Sequence, residues 1–381
     1  MKVGSVKEIK NNEYRVGMTP DNVRSYTQAG HQVLIEDGAG IGSGFTTAEY
    51  EAAGAKILPS AKEVWQGADM IIKVKEPLKE EYQYFREDLI LYTYLHLAAD
   101  RPLTDAMLAS GIHGVAYETL METNGSLPLL APMSQIAGRL SIQEGAKYLE
   151  KPFGGSGVLL SGVPGTPQAK VLILGAGVVG TNACKVAVGM GADVTMMDLN
   201  LERLAYLDDI FGARIRTLYS TPGNLEQAIA DADLVVGAVL IPGKAAPKLI
   251  KREYLKLMRP NSLIVDVAVD QGGCCETTKV TYHDNPTYVV DNAVHYCVGN
   301  MPGAVPRTST IALTNATQKY GLQIAAKGLE KACQGNPVIY SGVNTYAGKC
   351  TCENVCIGFN LPFTDPSHVV NLTLPHCAYH L

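Results

Sequence analysis

A short glycine pattern, GAGVVG at residues 175–180, constrains the fold of this chain more than any other feature. It directly follows an apolar run at 171–174 and precedes a stretch of helical character. In such a turn Gly175 permits the tight bend, Gly177 lets backbone N–H groups approach a pyrophosphate, and Gly180 lets the helix pack closely on the strand. The pattern therefore predicts a Rossmann-type strand, turn and helix, with a dinucleotide bound at the N-terminal end of the helix.

A carboxylate follows where a Rossmann domain contacts the adenosine ribose. Asp198 comes directly after the next apolar run, at 194–197, and lies roughly at the expected spacing from the glycines. A carboxylate there favours NAD over NADP because it would repel a 2′-phosphate, although Arg203 nearby could partly offset the repulsion. The alternative is that the glycines only form a strand-to-helix turn and that Asp198 caps a helix.

Short apolar runs alternate with helical stretches along most of the chain, as in α/β proteins with parallel sheets. The first series lies at 2–9, 32–35, 70–74, 89–94 and 114–117, and the second at 171–174, 194–197, 234–239, 263–267 and 288–290. Two proline-free helices are expected at 133–150 and 308–330. We predict two Rossmann-like doubly wound domains of the α/β class. A NAD-binding domain at 130–306 interrupts a discontinuous substrate domain made of 1–129 and 307–381, which begins with a connecting helix.

Composition restricts the class of partner. The net charge of −5 over 381 residues would repel rather than attract a polyanion, which argues against nucleic-acid binding as the main role. No apolar run approaches the length of a membrane span or resembles a signal peptide. The nine cysteines are scattered and odd in number, so reduced thiols are expected rather than a disulfide framework. We therefore expect a cytoplasmic protein that acts on small molecules.

Three polar residues follow apolar runs of the first series. Arg15 lies in the loop after the first run, Lys75 follows another, and His96 follows the next. Because ligands of parallel sheets bind at the carboxyl ends of the strands, these side chains could converge. Arg15 offers a planar fork for the carboxylate of a 2-oxo acid, Lys75 can hold the carboxylate or keto oxygen, and His96 can transfer protons near neutral pH. Each also has an ordinary alternative, as a surface ion-pair residue or a core histidine.

In the second series, Asp270 follows the apolar run at 263–267 and precedes the glycines at 272 and 273. A carboxylate at that position could bind the nicotinamide ribose or a catalytic water. The alternative is an Asx turn at the end of a strand.

Taken together, these motifs resemble the alanine dehydrogenase family from residue 2 to about residue 360. The segments that carry the resemblance are 13–20, 73–77, 93–98, 127–138, 175–180, 266–273 and 299–306. The resemblance implies that Arg15 and Lys75 bind substrate, and that His96 and Asp270 serve in proton transfer. It also implies cofactor contacts at Ser134, Val178, Val179, Asp198, Arg203, Ser220, Val239, Leu240, Val267, Val298, Asn300 and Met301.

The reaction implied by this resemblance is the reversible oxidative deamination of L-alanine to pyruvate and ammonia, with NAD as hydride carrier. Members of the family are homohexamers. Three alternatives stay open: the nucleotide-binding subunit of transhydrogenase, a saccharopine-type or opine-type dehydrogenase, and a catalytically silent NAD-binding sensor. The run 93–98 with His96, and the run 270–273 with Asp270, fit the dehydrogenase better than the transhydrogenase subunit.

The tail after Asn360 departs from the family pattern. It follows a set of thiols and is itself rich in histidine: Cys350, Cys352, Cys356, His368, His376, Cys377 and His380. A zinc site is the alternative there, but the spacings match no common zinc pattern, so we predict no metal.

Overall fold

The computed structural model describes residues 1–239 and 245–369, which form two compact units. Unit 1 consists of residues 1–132 together with the described residues from 305 onward, and unit 2 consists of the described residues of 133–304. The cofactor contact expected at Leu240 lies outside the described residues, as do His376, Cys377 and His380 of the tail.

The strands are β1 (Lys2–Ser5), β2 (Gln32–Glu36), β3 (Lys56–Leu58), β4 (Met70–Ile72), β5 (Ile90–Thr93), β6 (His113–Ala116), β7 (Lys170–Leu174), β8 (Asp193–Asp198), β9 (Ile215–Tyr219), β10 (Leu234–Gly237), β11 (Ser262–Asp266), β12 (Thr287–Val290), β13 (Ala293–Tyr296), β14 (Val343–Tyr346) and β15 (Lys349–Cys350). The α-helices are α1 (Pro20–Gln28), α2 (Thr47–Ala52), α3 (Ala61–Gly67), α4 (Arg101–Ser110), α5 (Ala131–Tyr148), α6 (Val178–Gly189), α7 (Leu201–Phe211), α8 (Pro222–Asp231), α9 (Pro306–Lys327), α10 (Leu329–Gly335), α11 (Pro337–Ser341), α12 (Glu353–Phe359) and α13 (Pro366–Val369).

The sheet of unit 1 has the strand order β15-β14-β6-β5-β4-β1-β2-β3. The strands β1 to β6 run parallel to their neighbours, whereas β14 is antiparallel to β6 and β15 is antiparallel to β14. Every residue of β4, β5 and β6 is buried, as expected for parallel strands covered on both faces. Because β5, β4 and β1 lie side by side, the loops that carry the three polar motifs leave the same edge of this sheet.

The sheet of unit 2 has the order β12-β13-β11-β10-β7-β8-β9, and β12 pairs with β13 in the antiparallel direction while the other pairs are parallel. Its core includes Leu172, Val235 and Ile264 from three neighbouring strands. Because β7 and β8 are adjacent, the glycine turn after β7 lies beside the end of β8, where Asp198 stands.

Two of the expected strands differ in the structure, and five further strands lie outside the expected apolar runs: β3, β9, β13, β14 and β15. The first strand ends at Ser5 rather than near residue 9, because the chain then turns and the Glu8 carboxylate bonds to the backbone after β4. The run at 288–290 belongs to an antiparallel edge hairpin, with Asp291 at φ 50° between β12 and β13, rather than to a parallel strand. A three-residue apolar run contains no information about the direction of pairing.

The two long helices begin earlier than expected. Helix α5 begins at Ala131 and α9 begins at Pro306, because proline is well tolerated in the first turn of a helix and so does not mark a boundary there. Helix α9 ends before Gly328, whose φ of 76° is unfavourable for other residues. Within 1–239 and 245–369, no helix combines the length and apolar character needed to cross a membrane.

Candidate functional site

Arg15 is a buried cation with a fixed orientation. Its side chain is 2% exposed, and its Nε and Nη2 donate to Glu13 Oε1 and Oε2, each at 2.6 Å. The loop that carries it is tied to α9, since the Val16 N–H donates to Thr310 Oγ1 at 3.2 Å. Burial would lower the pKa of Arg15, but the hydrogen bonds and charge of Glu13 outweigh it and raise the pKa. Arg15 is therefore a permanent cation inside unit 1 rather than a surface ion-pair residue.

Lys75 is a second, partly buried cation near Arg15. Burial lowers the pKa of Lys75, and the charges of Arg15 and Lys10 lower it further, whereas Glu76 and Glu13 raise it. Lys10 is itself paired with Glu76. Two neighbouring cations of this kind form a site suited to an anion, such as the carboxylate of a small acid.

Buried carboxylates hold the backbone that carries Lys75. Glu8 Oε1 accepts from the N–H groups of Val74 at 2.6 Å and Lys75 at 3.2 Å, while its Oε2 lies 2.9 Å from Lys73 Nζ. Lys73 also lies 3.0 Å from Glu81 Oε1. Burial would lower the pKa of Lys73, but these two carboxylates outweigh it and raise the pKa. Lys73 is therefore a buried structural cation, distinct in role from Lys75.

His96 stands at the surface of the same edge, just after β5. Its side chain is 43% exposed, its φ of 49° is left-handed, and its ring stacks on Tyr94 with centroids 5.8 Å apart. Glu118 Oε1 accepts from the His96 N–H at 2.6 Å and lies 4.0 Å from His96 Nδ1. Tyr94 is fixed in turn by donating to Leu129 O at 2.6 Å. His96 is thus an oriented and accessible imidazole rather than a core histidine.

In unit 2 the glycine turn has the geometry of a phosphate cradle. Gly175 has φ 104°, and a Cβ there would lie 2.7 Å from Ala238 O. A Cβ on Gly180 would lie 1.7 Å from Gly175 O, so helix α6 can approach the turn this closely only because residue 180 is a glycine. A Cβ on Gly177 would meet nothing within 4 Å, which leaves open space beside the N-terminus of α6. These residues fit the pyrophosphate of a dinucleotide.

Asp198 and Arg203 lie beside this turn. Asp198 Oδ2 accepts from the Ala176 N–H at 2.5 Å, and its Oδ1 accepts from the Asn200 N–H at 2.8 Å. The Arg203 guanidinium donates to Ala176 O from Nε at 3.2 Å and from Nη2 at 3.1 Å. Both the carboxylate and the guanidinium are therefore fixed beside the glycine turn by bonds to the backbone.

Asp270 lies in a short 3₁₀ turn after β11 and is exposed. Its Oδ2 accepts from the Asn300 N–H at 3.4 Å, and Asn300 has a left-handed φ of 56°. Two motifs that are thirty residues apart in sequence, around 270 and 300, therefore meet within unit 2. The adjacent Asp266 is a buried structural residue that accepts from the N–H of Cys274 at 2.9 Å and of Ala268 at 3.1 Å.

The other residues expected at the cofactor fall into two groups. In the first group, the Ser220 N–H donates to Asp198 O at 3.1 Å after β9, and Val239 follows β10 beside Gly175. Val178 is exposed in the first turn of α6, and Val267 and Ser134 are half-buried. Val179, Val298 and Met301 are buried, so a ligand would meet them mainly through their backbone.

Sequence reasoning missed the carboxylates that orient the cations and the imidazole: Glu8, Glu13 and Glu118. Glu118 follows β6 at the same sheet edge as the other motifs, so the rule that placed His96 could have found it. Glu8 was missed because the expected first strand, 2–9, placed it inside the strand, whereas β1 ends at Ser5.

The thiols near the tail lie in unit 1. Cys350 and Cys356 are buried, with their Sγ atoms 2.8 Å apart, and Cys352 is partly exposed. In the part of the chain that the structure describes, which includes His368, no group of three or more His, Cys, Asp or Glu side chains is arranged to hold a metal ion.

Comparisons with known proteins agree over nearly the whole chain. The model of the N-terminal domain of alanine dehydrogenase/PNT matches residues 4–137, and that of the C-terminal domain matches 141–353. The alanine dehydrogenase of Methanococcus maripaludis is 57% identical over 97% of this chain and 100% of its own length, and that of Bacillus subtilis is 57% identical over 93% and 94%.

Among solved structures, an L-alanine dehydrogenase superposes with a TM-score of 0.93 at 52% identity, covering 94% of this chain and 99% of that one. The transhydrogenase from Sinorhizobium meliloti has a TM-score of 0.78 at 25% identity, covering 93% and 99%. The chain belongs to the alanine dehydrogenase/PNT family.

Proposed function

We propose that this chain is an NAD-dependent alanine dehydrogenase, which catalyses the reversible oxidative deamination of L-alanine to pyruvate and ammonia. The observation that carries the proposal is that Arg15 and Lys75 lie within electrostatic range of each other, at the same sheet edge as an accessible His96, in a chain 57% identical to alanine dehydrogenases. Two cations and one proton-transfer group are what a small 2-oxo acid and its amination require.

NAD would be held by residues of unit 2, and we infer that residues 130–306 act as its binding domain. Gly175, Gly177 and Gly180 would accommodate the pyrophosphate, and Asp198 would bind the adenosine ribose. Asp270 and Asn300 lie together where the nicotinamide ribose or a water could be bound. When bound, NAD supplies the acceptor for the hydride that leaves C2 of alanine.

Residues 1–129 and 307–381 would form the substrate domain. Arg15 binds the substrate carboxylate, and Glu13 keeps the guanidinium in place through its two hydrogen bonds. Lys75 binds the carboxylate or the oxygen at C2. His96 takes a proton from the water that adds to the imine carbon and returns one to nitrogen as ammonia leaves, while Glu118 holds the histidine backbone.

The transhydrogenase alternative needs no histidine acid or base, and the solved transhydrogenase is less similar to this chain, at 25% identity against 52% for the dehydrogenase. By the same family relationship we propose a homohexamer that works in the cytoplasm, with NAD, L-alanine, pyruvate and ammonia as its ligands. Size-exclusion chromatography with light scattering tests the oligomeric state.

The activity is tested by incubating the purified chain with NAD and, in separate assays, alanine, serine, glycine, lactate or glutamate, while NADH absorbance is recorded. We expect alanine to be oxidised far faster than the others. NADH formation with glutamate or lactate but not alanine would assign a different substrate, and no turnover with a retained affinity for NAD would indicate a binding protein.

A further inference from the structure

Glu8 has a role in unit 1 that the reaction does not by itself require. It is buried and follows β1 in sequence, yet its Oε1 accepts from two consecutive N–H groups, those of Val74 and Lys75, in the segment after β4. A carboxylate that accepts from backbone N–H groups makes a strong, charge-assisted bond. The backbone position from which the Lys75 side chain starts is therefore set by a residue 67 positions earlier.

The second oxygen of Glu8 makes this contact rigid. Its Oε2 binds Lys73 Nζ at 2.9 Å, and Lys73 is held on its other side by Glu81 at 3.0 Å. Glu81 in turn accepts from the Leu78 N–H at 3.0 Å. Glu8 therefore binds the backbone at Val74 and Lys75, and Glu81 binds it at Leu78. Both carboxylates also pair with the Lys73 ammonium.

Electrostatics indicate why such rigidity is needed. Arg15 and Lys75 are both cations and lie close enough that Arg15 contributes to the lowered pKa of Lys75. Two like charges in a partly buried place repel each other, and the carboxylates of Glu76 and Glu13 offset part of this repulsion. A rigid backbone helps to keep the two cations together. Glu8 also lies close enough to Arg15 for its negative charge to stabilise the guanidinium.

We propose that Glu8 is a positioning residue for substrate binding, which holds Lys75 beside Arg15 so that one small carboxylate can be bound by both cations. Glu8 acts through Lys75 and does not itself touch the substrate. This inference rests on the proposed function, because it assumes that Lys75 binds the substrate.

The test is a double-mutant cycle on the holoenzyme with Glu8→Gln, Lys75→Met and both changes together. We expect Glu8→Gln to raise the KM for pyruvate by about tenfold, with a smaller change in the KM for ammonia, because a carboxamide has one acceptor oxygen and cannot accept from the backbone N–H groups and from Lys73 together. In the Lys75→Met background Glu8→Gln should alter the pyruvate KM by less than about twofold, because the ammonium that Glu8 positions is absent from that variant. A purely structural role would instead give the same factor in both backgrounds.

Asp69→Asn is the matched control. Asp69 also accepts from a strand N–H, that of Lys2 at 2.7 Å, but at the amino ends of β1 and β4. The Asp69→Asn variant should leave the KM values for pyruvate and ammonia unchanged. If Glu8→Gln does not fold, Glu8→Asp keeps the charge beside Lys73 but draws the carboxylate back from the Val74 and Lys75 N–H groups, and it allows the same cycle.

The outcomes separate the two hypotheses. An unchanged pyruvate KM in Lys75→Met would overturn the substrate site itself. A large effect of Lys75→Met, with no effect or an additive effect of Glu8→Gln, would overturn only the positioning role of Glu8.

Discussion

Asp198 and Arg203 bind opposite sides of one residue, Ala176, in the glycine turn. Asp198 Oδ2 accepts from the Ala176 N–H at 2.5 Å, and the Arg203 guanidinium donates to Ala176 O at 3.1 and 3.2 Å. Arg203 Nη2 also donates to Thr181 Oγ1 at 3.2 Å in helix α6. Both side chains therefore hold the shape of the turn, and three of the five N–H groups of Arg203 are already engaged there.

The first prediction concerns cofactor choice. Replacing Asp198 by Ala should lower kcat/KM for NAD about ten- to a hundredfold, because a charged hydrogen bond to the ribose contributes roughly 1.5 to 3 kcal/mol. The gain for NADP should be small, since Arg203 is engaged with Ala176. Kinetics with both cofactors check this, with Asp209→Asn on the exposed face of α7 as control. If the ratio of kcat/KM for NAD to kcat/KM for NADP is the same in the variant and the parent, Asp198 is not the ribose ligand.

The second prediction concerns Arg15. The variant Arg15→Lys should raise the KM for pyruvate about tenfold or more, because an ammonium cannot pair with Glu13 through two parallel bonds and also present a planar edge to the substrate. Steady-state kinetics in the aminating direction measure it. The exposed Arg24→Lys in α1 serves as control. An unaltered KM would mean that Arg15 is structural.

The third prediction is a pH dependence of pyruvate affinity. Burial, Arg15 and Lys10 lower the pKa of Lys75 below the ordinary lysine value of 10.5, and only the ammonium form attracts an anion. Affinity should therefore be full at low pH and decline as pH rises, with a midpoint below 10.5. The measurement is pyruvate binding to the NADH complex, followed by NADH fluorescence. Lys75→Arg stays charged at high pH and should abolish the decline in pyruvate affinity. If affinity still declines in that variant, the titrating group is not Lys75.

The fourth prediction concerns His96. The variant His96→Ala should lower kcat about a hundredfold or more while the Kd for NAD stays close to that of the parent, because proton transfer is lost and the cofactor turn is untouched. Glu118→Gln should lower kcat less, since an amide oxygen can still accept from the His96 N–H. Near-normal turnover in His96→Ala would remove the imidazole from the mechanism.

The fifth prediction concerns the tail. Leu361 packs against the core cluster of unit 1, the Thr364 N–H donates to Cys350 O at 3.0 Å, and Tyr340 donates to Asp365 at 2.8 Å. A chain that ends at Asn360 should therefore lose about 1 to 3 kcal/mol of stability and several degrees of Tm, while still oxidising alanine. Thermal unfolding measures the loss, and a chain that ends at Val369 keeps these contacts as control.

Zinc analysis of the intact protein belongs with the tail experiment. We expect no stoichiometric zinc. Zinc at one ion per chain, lost together with activity in the shortened chain, would instead establish a metal site in this region.

Local sequence patterns predicted much of this protein. The strand, glycine turn and helix at 171–189 are specified by residues within a few positions of one another, as are the apolar runs that became strands. The order of strands is less local, yet the rule that ligands bind at carboxyl ends of parallel strands still pointed to the loops with Arg15, Lys75 and His96.

The sequence by itself determined the types of element, the glycine turn and the chemistry of the candidate side chains, because periodicity and turn preferences act over short distances along the chain. Only the tertiary structure decided which charges are paired. Glu8 meets Lys73 across 65 residues, and Arg203 turns to Ala176 rather than toward open solvent. The antiparallel edges of both sheets were also decided there. Such contacts depend on which strands lie side by side, and the strand order results from packing of the whole unit rather than from any local pattern.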